Sequence, residues 1–152
     1  MKTLIRTLPA LALTIGAASL APAQAAALWA GADLRTSGLD AHAGTALLPV
    51  PFIGTVGVEG GVGASYSGSF NEARLGATLR DLNIPFTKTD AFVSGGAAYH
   101  SSQSGDVNTS GVGLYVEGGL RGPLLGPVGW RAGVKADTRS GLSAGVGLEF
   151  RF

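Results

Sequence analysis

From residue 27 onward, side chains alternate in kind at every second position. Apolar residues are interleaved with charged, polar or glycine residues over eight runs separated by Ser, Gly, Asp, Asn or Pro breaks. A period of two is the repeat of a β-strand whose faces meet different surroundings. The first run puts Leu28, Ala30, Ala32 and Leu34 on one side, the sixth Val112, Leu114, Val116 and Leu120, and the last Leu142, Ala144, Val146, Leu148, Phe150 and Phe152. Over all eight runs this face has forty positions, none of them charged. The chain beyond residue 25 holds 19 charged residues among 127; indifferent placement would put roughly six of them there.

The charges gather on the opposite face. Asp33, Asp40, Glu59, Glu117, Asp137 and Glu149 stand there with Arg74, Arg80, Arg121, Arg131, Lys135 and Arg151, along with His42, His100, Tyr115 and many glycines. A soluble sandwich or ligand-binding barrel turns its apolar face inward and fills a core with bulky groups, but here that face is mostly Ala, Val, Leu and Gly. A transmembrane barrel turns it outward to lipid and keeps a polar interior, because only a closed sheet leaves no unpaired backbone edge in hydrocarbon. Strands that cross need roughly 9–11 residues, so eight fit with short connections. The expected fold is therefore all-β, an eight-stranded antiparallel up-and-down transmembrane barrel over residues 26–152. A soluble secreted β-sandwich is the alternative.

The first 25 residues read as an export signal. Lys2 and Arg6 precede the apolar stretch Leu8 to Ala21, and Ala23-Gln24-Ala25 offers small residues where signal peptidase cuts. The stretch is too short for a membrane-spanning helix. Export with an alternating barrel pattern predicts the bacterial outer membrane, with outer-membrane lipid as the surrounding partner. The formal charge of +1 gives no field for nucleic acid, and zero cysteines exclude disulfide scaffolds and zinc-thiolate sites. No cofactor is expected, and a monomer is.

The aromatic residues fall into two girdles. Phe52, Phe86, Trp130, Phe150 and Phe152 lie toward one end of the strands, and Tyr66 and Tyr99 toward the other, as interfacial aromatics do. The closing segment Gly147-Leu148-Glu149-Phe150-Arg151-Phe152 resembles the C-terminal assembly signal of bacterial outer-membrane barrels, and the resemblance implies that the insertion machinery reads Phe150 and Phe152. As architecture, the chain resembles the small barrels typified by outer-membrane protein A, in its transmembrane domain, and outer-membrane protein X. Three connections at the end of the first girdle are unusually apolar: Leu48 to Phe52, Asn83 to Phe86 and Pro123 to Pro127.

At eight strands a barrel is just wide enough for side chains to fill it. Six acids and six bases then predict paired charges that hold the lumen shut, since a buried charge left alone costs several kcal/mol. Glu117, Lys135, Glu149, Arg131 and Arg151, on three consecutive strands, are the first candidates for pairing. The lumen-facing glycines, among them Gly57, Gly61, Gly63, Gly133, Gly145 and Gly147, allow curvature and leave volume for water or a small ligand. Ser65 to Glu72 and Ser101 to Thr109 are the loops long enough for surface interactions. One chemical motif stands out: His100 and Ser102 are similar to the His and Ser, two apart, of outer-membrane lipid A deacylases. That resemblance implies a histidine base, a serine nucleophile and an orienting acid, Glu117. Neither His42 nor His100 has ligands at metal-binding sequence spacing, so no metal site is expected.

Overall fold

The computed structural model describes residues 28–68, 70–104 and 106–152, and the export signal lies outside them. Eight strands follow one another: β1 (Leu28–Arg35), β2 (Gly38–Val50), β3 (Gly54–Ser65), β4 (Phe70–Asn83), β5 (Asp90–Ser104), β6 (Val107–Leu125), β7 (Val128–Asp137) and β8 (Gly141–Arg151). Each pairs antiparallel with its chain neighbours, and β1 pairs with β8 to close the barrel. Closure leaves no edge strand in the ring, as an all-β membrane span requires, and the distal part of β6, before Tyr115, pairs with β5 alone.

One end of the barrel carries the start of β1, the end of β8 and the turns after β2, β4 and β6; the other carries the turns after β1, β3, β5 and β7. We call these the terminal and distal ends. The register shifts between Ala46 and Leu48, Leu79 and Leu82, and Pro123 and Leu125 all fall at the terminal end. At the distal end the stretch Ser101 to Thr109, read from sequence as a loop, is mostly strand. β5 continues to Ser104 and β6 starts at Val107, with Ser101 opposite Ser110 and Gln103 opposite Asn108. Ser and Gln on one arm and Asn, Thr and Ser on the other carry the pairing there, with Val107 as the one apolar member, which is why the hydrophobic pattern ends before the strands do.

The alternation settles into opposite exposures. Val62, Leu75, Leu114, Val116, Val146 and Leu148 face outward and are exposed, whereas the buried apolar side chains are few: Trp29, Phe92, Ala98 and Tyr115. Among the described residues eighteen polar or charged ones are buried. The polarity is the inverse of a water-soluble barrel's.

Two terminal-end turns repeat one device. Val50-Pro51-Phe52-Ile53 closes with Ile53 N–H donating to Val50 O at 3.1 Å, and Ile84-Pro85-Phe86-Thr87 with Thr87 N–H donating to Ile84 O at 3.2 Å. Proline fixes φ at the second position, and in a type II turn the third is left-handed, a place for Gly or Asn. Here Phe52 (φ 67°) and Phe86 (φ 65°) occupy it, whereas the β6–β7 turn uses Gly126 (φ 56°). Both rings stand fully exposed. A bulky residue in that conformation costs about 1–2 kcal/mol, so Phe52→Asn and Phe86→Asn should each raise stability by about 1 kcal/mol in urea titrations in detergent. In lipid vesicles the gain should shrink, because an interfacial ring then loses its burial.

Candidate functional site

The site is the lumen itself. All twelve charged residues assigned to the inner face by alternation point inward, and eleven of them are buried; Arg151, at the terminal mouth, is partly exposed. Two more join them that the alternation had not assigned to the inner face: Arg35 and Glu72 are each buried. Both sit on strand ends, Arg35 opposite Gly145 and Glu72 opposite His100, where the ladder outlasts the apolar alternation.

The ion pairs reach across the barrel more than along its wall. Glu117 and Lys135 are direct partners in the β6–β7 ladder. Lys135 nevertheless gives its ammonium to Glu72 on β4, with Nζ–O distances of 2.5 and 2.6 Å. Glu117 takes Arg35 from β1 at 2.7 Å and Arg131 from β7 at 3.0 Å. Arg74 donates to both oxygens of Asp40, one at 2.7 Å. Arg131 forks onto the two oxygens of Glu59 at 3.1 Å each, the bidentate geometry a planar guanidinium favours. Nearer the terminal end, Glu149 is a hub: Arg80 lies at 2.5 Å, Arg121 at 3.0 Å and Arg151 at 3.2 Å. Arg121 also pairs with the half-exposed Asp81.

Aromatic side chains complete the plug. Trp29 donates its indole N–H to Glu59 at 2.9 Å and offers its ring face to Arg80 at 3.8 Å, and Arg131 stacks over Phe92 at 4.1 Å. These cation–π contacts add to the ion pairs where water is scarce. Several of the lumen glycines are sockets for these groups. A Cβ on Gly61 would meet the Arg74 guanidinium at 2.8 Å, one on Gly145 the Arg35 chain at 2.7 Å, and one on Gly31 the His42 ring at 2.7 Å. A small void of about 20 Å³ remains beside Arg35, Asp40, Glu72 and Lys135.

Of the residues of the deacylase-like motif, Glu117 lies in a different cluster from His100. His100 Nε2 lies 3.0 Å from Asp137 Oδ2 and its Nδ1 3.9 Å from Glu72, so its carboxylates are Asp137 and Glu72, while Glu117 belongs to the Arg35 and Arg131 cluster. Ser102 is two residues beyond His100 on the same inner face and is partly exposed. Among the described residues no hydrogen bond joins it to His100. Tyr66, Tyr99, Phe150 and Phe152 are exposed on the outer surface, and Trp130 lies over Gly122 at the terminal end. Tyr66 also donates its hydroxyl to Arg35 O at 2.9 Å.

No family model and no curated protein sequence matches the chain. Solved structures do. The N-terminal β-barrel domain of Pseudomonas aeruginosa OprF superposes with a TM-score of 0.63 at 16% identity, covering 83% of this chain and 97% of that one. The fold is that of the small outer-membrane barrels. A de novo designed transmembrane β-barrel (TM-score 0.55, 12% identity, 83% and 93% covered) and Neisserial surface protein A (0.51, 14%, 82% and 93%) share it. At such identities the likeness is one of fold, and this barrel carries its own set of charges inside it.

Proposed function

We propose that the chain is an integral barrel of a bacterial outer membrane, delivered there by a cleaved export signal, with a structural or surface-interacting role and no catalytic one. The observation that supports this most directly is the pairing of a continuous exposed apolar wall with a lumen cross-linked by ion pairs between strands that are not neighbours. An apolar surface of this extent has no place in water, and charges matched in this way leave no open path along the axis. The protein is therefore a closed post and not a general porin. Its wall is met by lipid, and its last strand with Phe150, and Phe152 just beyond it, is the segment the insertion machinery takes up.

A lipid-modifying enzyme of the deacylase kind needs its base and nucleophile on the outer surface, where acyl chains are. His100 is buried inside, with Ser102 on the same side, and the barrel wall stands between both and the bilayer. The projecting β5–β6 hairpin, rich in Ser, Thr and Asn, is the element best placed for contacts at the cell surface.

Expression in a Gram-negative host followed by fractionation tests the assignment. The protein should pellet with outer membranes and migrate differently on SDS gels before and after boiling, because a closed barrel resists the detergent cold. Recovery in the soluble periplasmic fraction with one migration position would return the chain to the soluble β-sandwich class.

A further inference from the structure

Glu72, His100 and Asp137 come from β4, β5 and β7 and meet at the distal end of the lumen, all three buried. One ligand atom from each lies within 4.8 Å of the other two. We propose that they form a binding site for a single divalent transition-metal ion, with Zn²⁺ as the best match.

The electrostatics of the cluster point to a cation. Asp33, Asp40 and Glu72 are joined by ion pairs to three permanent cations, Arg35, Arg74 and Lys135. The carboxylate left over is Asp137. Its side chain is wholly buried, and its only ionic counterpart among the described residues is the His100 ring. A buried carboxylate without a full positive partner is costly, and a metal ion shared with His100 supplies one.

The donor geometry suits a metal as well. Asp137 Oδ1 accepts the backbone N–H groups of Arg139 at 2.7 Å and Ser140 at 3.1 Å, which fixes the carboxylate and aims Oδ2 at the imidazole. Such outer contacts are what orient metal ligands. One imidazole nitrogen with two carboxylate oxygens is a zinc donor set that leaves a fourth position for water, and bound zinc would draw the three atoms to about 2.0–2.2 Å from itself. Calcium and magnesium call for more oxygens and no imidazole. Lys135, now bonded to Glu72 by both oxygens, is the internal competitor, and metal binding must displace it.

Zinc titration by calorimetry, on untagged full-length protein refolded in detergent and cleared of metal by chelator, tests the site. Wild type should take up one Zn²⁺ saturably. His100→Ala and Asp137→Asn should abolish uptake, whereas His42→Ala, which removes the other histidine, should leave it intact. Lys135→Met, by freeing Glu72, should tighten binding several-fold. Each variant is checked for heat-dependent gel migration, so that lost uptake is not mistaken for lost folding. Absence of binding by wild type overturns the proposal. Uptake by His100→Ala equal to wild type, or an unchanged affinity in Lys135→Met, overturns it equally.

Discussion

Replacing Glu149 by Gln should destabilise the barrel by about 3–5 kcal/mol, the cost of breaking a buried ion pair from one side. The carboxylate has no solvent exposure and is approached by Arg80, Arg121 and Arg151. Glutamine keeps the shape but removes the charge, leaving Arg80 and Arg121 facing each other without their common anion. Asp81 and Glu59 hold part of the load, so the barrel should fold while losing resistance to denaturant. Urea titration in phospholipid vesicles, followed by tryptophan fluorescence, measures the loss. A second substitution, Arg80→Met, should restore part of it, since the two side chains share one interaction and their effects do not add. A loss under about 1 kcal/mol for Glu149→Gln would mean that water solvates these charges and that the lumen is wet and open.

Val116→Arg should cost about 2–4 kcal/mol in a bilayer. Val116 lies midway along β6 on the outer face and is 53% exposed, so in a water-soluble protein the same change would fall within about 0.5 kcal/mol of neutral. The two surroundings predict different outcomes for one substitution, which makes it a direct reading of what touches the wall. Val112→Arg, nearer the distal rim, should cost less, because the penalty declines toward the interface. Vesicle unfolding measures both, and equal small effects would contradict a lipid-facing wall.

Which face each residue takes was legible in the sequence because it depends only on parity. Leu114 and Val134 are outside and Arg131 and Lys135 inside for the same reason that odd and even positions differ. Partner choice was not legible. Lys135 stands beside Glu117 in the ladder but bonds to Glu72, since a long side chain in a narrow lumen reaches the opposite wall as easily as the next strand. Arg35 and Glu72 escaped notice because hydrogen bonding carries β1 and β4 beyond their apolar stretches. The glycines looked like spare room for a similar reason: a socket is visible only once Trp29, Arg74 and Arg35 are placed against it. The grouping of His100 with Glu72 and Asp137 joins residues 28 and 37 positions away along the chain, which no spacing rule for metal ligands covers.

The cross-lumen bonds bear on how such a barrel can come into being. The carboxylate that neutralises Arg80 and Arg121 is carried by the eighth strand, and the acid for Arg131 by the third. A sheet with some strands in place and others still waiting would leave guanidinium groups short of their acids, Arg80 above all, because Glu149 arrives only with the eighth strand. Partial assemblies are thereby penalised steeply, and the route into the bilayer narrows to a single concerted event in which curling, sealing and charge matching happen together. Dismantling has to retrace that step, so denaturant curves taken in opposite directions should separate into a hysteresis loop.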